Sequence, residues 1–148
     1  MNPGDVFRWK DFPYPKFGKE IKPRWFIYLG HTNVFQDPVI VHICTTTTNE
    51  GDFQKRGKRE SHRYFLFELG KHPFDEQCLL DFDEDPYPFP QKDLECKPDI
   101  ELKGSLDVGT LRIIYEGIYQ SKHYSRTIKN DIYFSLKDIR GIGSLKKP

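Results

Sequence analysis

The sequence lacks most of the signatures that assign a chemistry outright. It contains no Walker A, GxGxxG or GxSxG pattern, and its Gly-Ile-Gly at residues 141–143 follows a helical stretch rather than a strand, so nucleotide-cofactor chemistry has no support. The five histidines, His31, His42, His62, His72 and His123, form no HxxxH or HExxH, and the three cysteines form no CxxC; a zinc signature is missing. The acidic run Asp81, Asp83, Glu84, Asp85 lacks the glycine and the distal glutamate of a calcium loop. No apolar run approaches the roughly 20 residues of a membrane span. The opening MNPGDVFRWKDF has no charged segment followed by an apolar one, so no signal peptide is expected. Three widely spaced cysteines make no disulfide framework. Cys44 and Cys78 fall in apolar runs and read as buried thiols of a reducing, cytoplasmic compartment. An excess of one charge is also absent: 23 Lys and Arg against 22 Asp and Glu leave +1, so any nucleic-acid surface must be a local patch.

What the chain does have is aromatic content, 15% Phe, Trp and Tyr. Such residues favour strands and supply stacking surfaces. At 148 residues one domain is expected over 1–148, large enough for a real core. Short apolar or alternating runs predict five strands, at Val6–Lys10, Lys22–Leu29, Val39–Cys44, Tyr64–Leu69 and Cys78–Phe82. Val39–Cys44 shows little alternation and is expected in a central position, with His42 as a satisfied core residue. From Ser105 the period changes: Val108, Leu111, Ile114, Tyr115 and Ile118 form one helical stripe, with Ser105 or Asp107 as N-cap. Ile128, Ile132, Leu136 and Ile139 form a second stripe starting near Ser125, with Gly141 as its stop. The expected fold is mainly β with appended helices: a compact β-barrel over about residues 3–103, whose closure would remove sheet edges, and C-terminal helices over about 105–140.

Three loops remain. Residues 11–23 carry three prolines and a glycine and cannot be a central strand. Their Phe12, Tyr14 and Phe17, interleaved with Lys16, Lys19 and Lys22, suit stacking on single-stranded nucleic acid or folding back on the core. Residues 49–63 carry Lys55, Arg56, Lys58, Arg59 and Arg63 and read either as a phosphate-contacting arm or as a solvated tip. The acidic, proline-rich stretch Asp83–Glu95 reads as an irregular loop that would repel a nucleic-acid backbone.

The organising stretch is Lys22–Thr48. If its two apolar runs pair antiparallel, the start of one lies beside the end of the other. Arg24 and Thr45 would then meet at one end of the sheet, a guanidinium beside hydroxyls suited to a phosphate.

Gly4-Asp5-Val6, then an aromatic loop, then Lys22-Pro23-Arg24 leading into a strand, then Val39-Ile40-Val41-His42-Ile43-Cys44-Thr45, together resemble the MazF/PemK family of toxin endoribonucleases. The later KGSLDVGTLRIIYEGI is similar to the family's C-terminal stretch, and the likeness covers roughly residues 3–118. It implies a CcdB/PemK-like, SH3-like β-barrel that forms a homodimer, cleaves single-stranded RNA without metal or cofactor, and is neutralised by an antitoxin protein. The family's essential arginine corresponds to Arg24 and its essential threonine or serine to Thr45. RNA contacts are expected from Phe17, Lys19 and Lys22, from Thr46, and from Lys55 and Arg56. In the implied reaction the substrate's 2′-hydroxyl attacks the adjacent phosphate, leaving a cyclic phosphate and a 5′-hydroxyl. Arg24 and Thr45 would stabilise the charge that develops on the phosphate oxygens. The proton acceptor is left open. The chain departs from the family where Trp25 stands in place of the proline after the arginine, in its run of four threonines, and in having no counterpart for the segment beyond residue 120. The alternative expectation is a non-catalytic SH3-like binding module or a protein-targeting toxin like the gyrase poisons.

Overall fold

Alternation along three central strands sorts their side chains into two cores. The computed structural model describes residues 1–13 and 21–148. Within it, β1 (Asp5–Trp9), β2 (Arg24–His31), β3 (Ile40–Thr45), β6 (Tyr87–Pro90) and β7 (Ile100–Ser105) form an antiparallel sheet in the order β6-β3-β2-β1-β7. On one face Val6, Ile27, Leu29 and Cys44 join the first core, and on the other Phe7, Trp9, Phe26, Tyr28, Val41 and Ile43 join the second. Successive side chains of a strand point to opposite faces, which is why these runs could be apolar throughout.

The first face is covered by the remaining elements. β4 (Tyr64–Phe67) and β5 (Cys78–Asp81) pair as a separate ladder, and α2 (Val108–Gln120) and α3 (Arg126–Leu136) supply Leu111, Ile114, Tyr115, Ile118, Ile132 and Leu136 to the same core. Both helices begin at a side-chain cap. Asp107 accepts from the Thr110 amide at 2.9 Å, and Ser125 accepts from the Ile128 amide at 3.2 Å. α3 crosses close over β2 because Gly30 has no side chain: a Cβ there would sit 2.9 Å from the Ile132 Cα. The His31 amide donates to Ser135 Oγ across the same contact at 2.9 Å.

The second face is aromatic. Phe12 lies 4.7 Å from Phe26 and 5.0 Å from Tyr87, and Trp9 lies 5.2 Å from Phe89, centroid to centroid. Of the two expectations for the rings of the first loop, Phe12 therefore takes the core; Tyr14, Lys16, Phe17 and Lys19 lie outside the described residues.

Four expectations need correction. The described strands close no barrel: β6 and β7 are the edges of an open sheet, and β5 meets the main chain beyond β3 only at a Thr47–Leu79 bridge. Prolines 88 and 90 have no amide to donate and suit an edge rather than a closed seam. The proline-rich stretch read as an irregular loop contains β6 and the short α1 (Gln91–Glu95). Its Tyr87 and Phe89 point inward while Pro88 is exposed, an alternation that the prolines mask in the sequence. β7 was not expected at all, since its IELKGS is largely exposed and polar. The second helix ends at Leu136, before Gly141, which adopts φ 88° in the turns that follow.

Candidate nucleic-acid interface

Strand register brings the organising stretch together. Phe26 pairs with Thr45 across β2 and β3, and the Thr46 amide donates to the Trp25 carbonyl at 3.2 Å, so Arg24 lies beside the threonine run. Two cavities of about 410 and 710 Å³ adjoin there and share Lys22, Arg24, Thr46, Thr47 and Thr48 in their walls. Together they make a cleft across the end of the sheet. Thr45 lines the larger cavity but not the smaller, and its hydroxyl proton is shared between the carbonyls of Trp25 at 3.2 Å and Thr46 at 3.3 Å. The oxygen keeps its capacity to accept. Thr47 Oγ1 accepts from the Asn49 amide at 3.1 Å.

The charge of the cleft is local, as a near-neutral chain requires. Lys22, Arg24, Lys58 and Arg59 line the larger cavity against Asp52 and Glu84. Lys55 and Arg56, expected to touch RNA, are exposed and line neither cavity, whereas their neighbours Lys58 and Arg59 do. The basic stretch is not a free tip. Arg63 donates to the Gly117 carbonyl at 3.0 Å and to Gln120 Oε1 at 3.1 Å, and its backbone amide donates to Asp83 at 3.0 Å. Arg59 stands 3.4 Å from Asp81 and 3.5 Å from Glu84. The acidic stretch therefore begins inside the cleft, where Glu84 balances an arginine, rather than away from it.

His62 and Asp81 are the residues that sequence reasoning passed over. Asp81 ends β5 and is 3% exposed; its Oδ2 takes the His62 Nδ1 at 2.7 Å and its Oδ1 the Asp83 amide at 2.8 Å. His62 lines the larger cavity. The available signal was a carboxylate at the end of the apolar run Cys78-Leu79-Leu80-Asp81, since a buried charge requires a partner. His42, by contrast, is a core residue as expected but is satisfied only at Nε2, 2.9 Å from Asp131 on α3, its Nδ1 being buried without a hydrogen-bond partner among the described residues.

Two further groups bear on chemistry. Cys78 lines the smaller cavity, but burial pushes its thiol up to about 11, which leaves little thiolate for nucleophilic attack near neutral pH. Asp83 is pulled up by burial, but the Arg63 amide, the Ser121 hydroxyl and the Arg63 guanidinium outweigh that and hold its carboxyl below the usual range. Among the described residues no three His, Cys, Asp or Glu side chains gather as a metal-ligand set, and no helix is long and apolar enough to cross a membrane. Comparison with models of known protein families, with curated proteins and with solved structures gave no match for this chain.

Proposed function

We propose that the protein is a toxin-type endoribonuclease that cleaves single-stranded RNA in the cleft at the end of its sheet. The observation that carries the reading is the meeting of Arg24 with Thr45–Thr48 in one cleft also lined by Lys22, Lys58 and Arg59. The larger cavity, about 710 Å³, falls within the range of about 300–1,000 Å³ that suits small ligands, and so has room for a nucleotide. A guanidinium fixed beside hydroxyls stabilises charge where it develops on a phosphate in the transition state. Arg24, always protonated, serves charge stabilisation rather than proton abstraction. Thr45 and the threonines after it orient the phosphate. The substrate's 2′-hydroxyl attacks, giving a cyclic phosphate and a 5′-hydroxyl product. The resemblance to the MazF/PemK toxins adds a cytoplasmic setting, a homodimer, an antitoxin that fills the groove with carboxylates, and an opened relative of the SH3-like barrel.

The test is cleavage of single-stranded RNA by purified protein in EDTA, with the termini of the fragments identified. Cyclic phosphate and 5′-hydroxyl ends are expected. Arg24→Ala should lose about 100-fold or more in rate, the scale of removing one preorganised donor, with Thr45→Ala weaker. Unimpaired cleavage by the Arg24 variant would sink the mechanism. Binding without cleavage by the intact protein would favour the non-catalytic module.

A further inference from the structure

We propose that His62, held by the buried carboxylate of Asp81, is the group that accepts the 2′-hydroxyl proton in this cleft. The inference rests on the ribonuclease reading and fills the one role that reading leaves vacant. Asp81 has a side chain 2% exposed, and His62 one 30% exposed. The hydrogen bond between them, 2.7 Å from Nδ1 to Oδ2, places the neutral ring's proton on Nδ1, because an ionised carboxylate can only accept. Nε2 is thereby left as the basic nitrogen. Among the described residues the ring's only hydrogen bond is the one at Nδ1. The same ring lines the cavity that holds Arg24 and Thr45.

The ring is also held in place. Asp81 is itself fixed by the Asp83 amide at 2.8 Å and by Arg59 at 3.4 Å. On the other side of His62, Arg63 is clamped to Asp83 and to α2. Preorganisation of this kind lets a general base act without reorganising during the reaction. A histidine that served only to neutralise Asp81 would duplicate Arg59, which already stands at the same carboxylate oxygen.

The step balances without a co-reactant. The 2′-O–H bond breaks as its oxygen bonds to phosphorus, and the proton passes to His62 Nε2. The P–O5′ bond breaks and the departing oxygen takes a proton from solvent water. The imidazolium then returns its proton to solvent. Asp81 is a positioning residue: it fixes the tautomer and stabilises the cation, and touches no substrate.

The experiment is a pH–rate profile for single-stranded RNA cleavage between about pH 5 and pH 8, where histidine titrates, with the intact protein, His62→Gln, His62→Gly and Arg24→Ala. Asp81 holds the ring at Nδ1, the charged groups lining the cavity with His62 are Lys22, Arg24, Asp52, Lys58, Arg59 and Glu84, and the His123 ring lies 6.1 Å away. The intact protein should lose activity on the acid side as the base is protonated. His62→Gln should lower kcat by about 100-fold or more, leave KM near its original value and abolish the acid limb. Added imidazole should restore part of the rate to His62→Gly. The inference fails, while the ribonuclease reading stands, if His62→Gln keeps the full rate and acid limb while Arg24→Ala is inactive. A rate independent of pH in the intact protein overturns it without any variant. An intact protein that leaves RNA uncut overturns both.

Discussion

Among the described residues, two histidine–aspartate pairs are built from the same groups with opposite burial. In His42–Asp131 the imidazole is the hidden partner, 7% exposed, and the carboxylate the outer one, 20% exposed, with 2.9 Å between them. In His62–Asp81 the carboxylate is hidden at 2% and the imidazole stands at 30%, with 2.7 Å between them. The difference shows why a pair of this type has no fixed meaning in a sequence. Burying the imidazole ties β3 to α3, and His42 Nδ1 is buried without a hydrogen-bond partner among the described residues. Burying the carboxylate instead leaves the ring as the outer partner. The first arrangement joins two elements, and the second leaves the ring in the wall of a cavity.

That contrast breaks most severely at Asp81. Asp81→Ala removes the acceptor for His62, Arg59 and the Asp83 amide. At about 1 kcal/mol per hydrogen bond, urea unfolding should show a loss of about 3 kcal/mol, together with loss of RNA cleavage. Asp131→Ala should cost less, about 1–2 kcal/mol, since it orphans one buried imidazole. Its folded fraction should cleave RNA at the original rate; a large fall in kcat would show that the two pairs are not separate in role. The smallest effect concerns Asp83, which supports the cleft pair. Its carboxyl is pulled up by burial, but hydrogen bonds and Arg63 hold it below the usual range. A lowered folded-state value means stability that is present above the ordinary carboxylate range, about pH 4, and is lost as pH falls through the folded value. Asp83→Asn should therefore flatten the acid limb of the urea midpoint, by under about 1 kcal/mol because water screens the group.

Much of the sheet was legible because its central strands carry apolar residues on both faces. The β2–β3 pairing, and with it the approach of Arg24 to Thr45, could be read from two runs and a turn. The edges could not. β6 hides its Tyr87/Phe89 alternation among prolines, and β7 is an edge strand with a polar, exposed sequence. The helices were legible from their stripes and caps. The candidate site was half legible. Arg24 and the threonines announce themselves by position in one strand pair, but His62 and Asp81 are brought together by β5 and a loop 19 residues apart in sequence. No local pattern encodes that distance. Lys55 and Arg56 stood out by charge, yet the cations of that stretch that line the cleft are their neighbours Lys58 and Arg59.

The Thr47–Leu79 bridge acts as a ruler. Thr47 lies two residues beyond Thr45, and Leu79 two residues before Asp81, and the two amides exchange hydrogen bonds at 3.0 and 2.8 Å. Because strands rise about 3.3 Å per residue and neighbours stand about 4.8 Å apart, the gauge between the wall that carries Thr45 and the wall that carries Asp81 is set by main chain. Side chains lining the cleft can then vary while the gauge stays fixed.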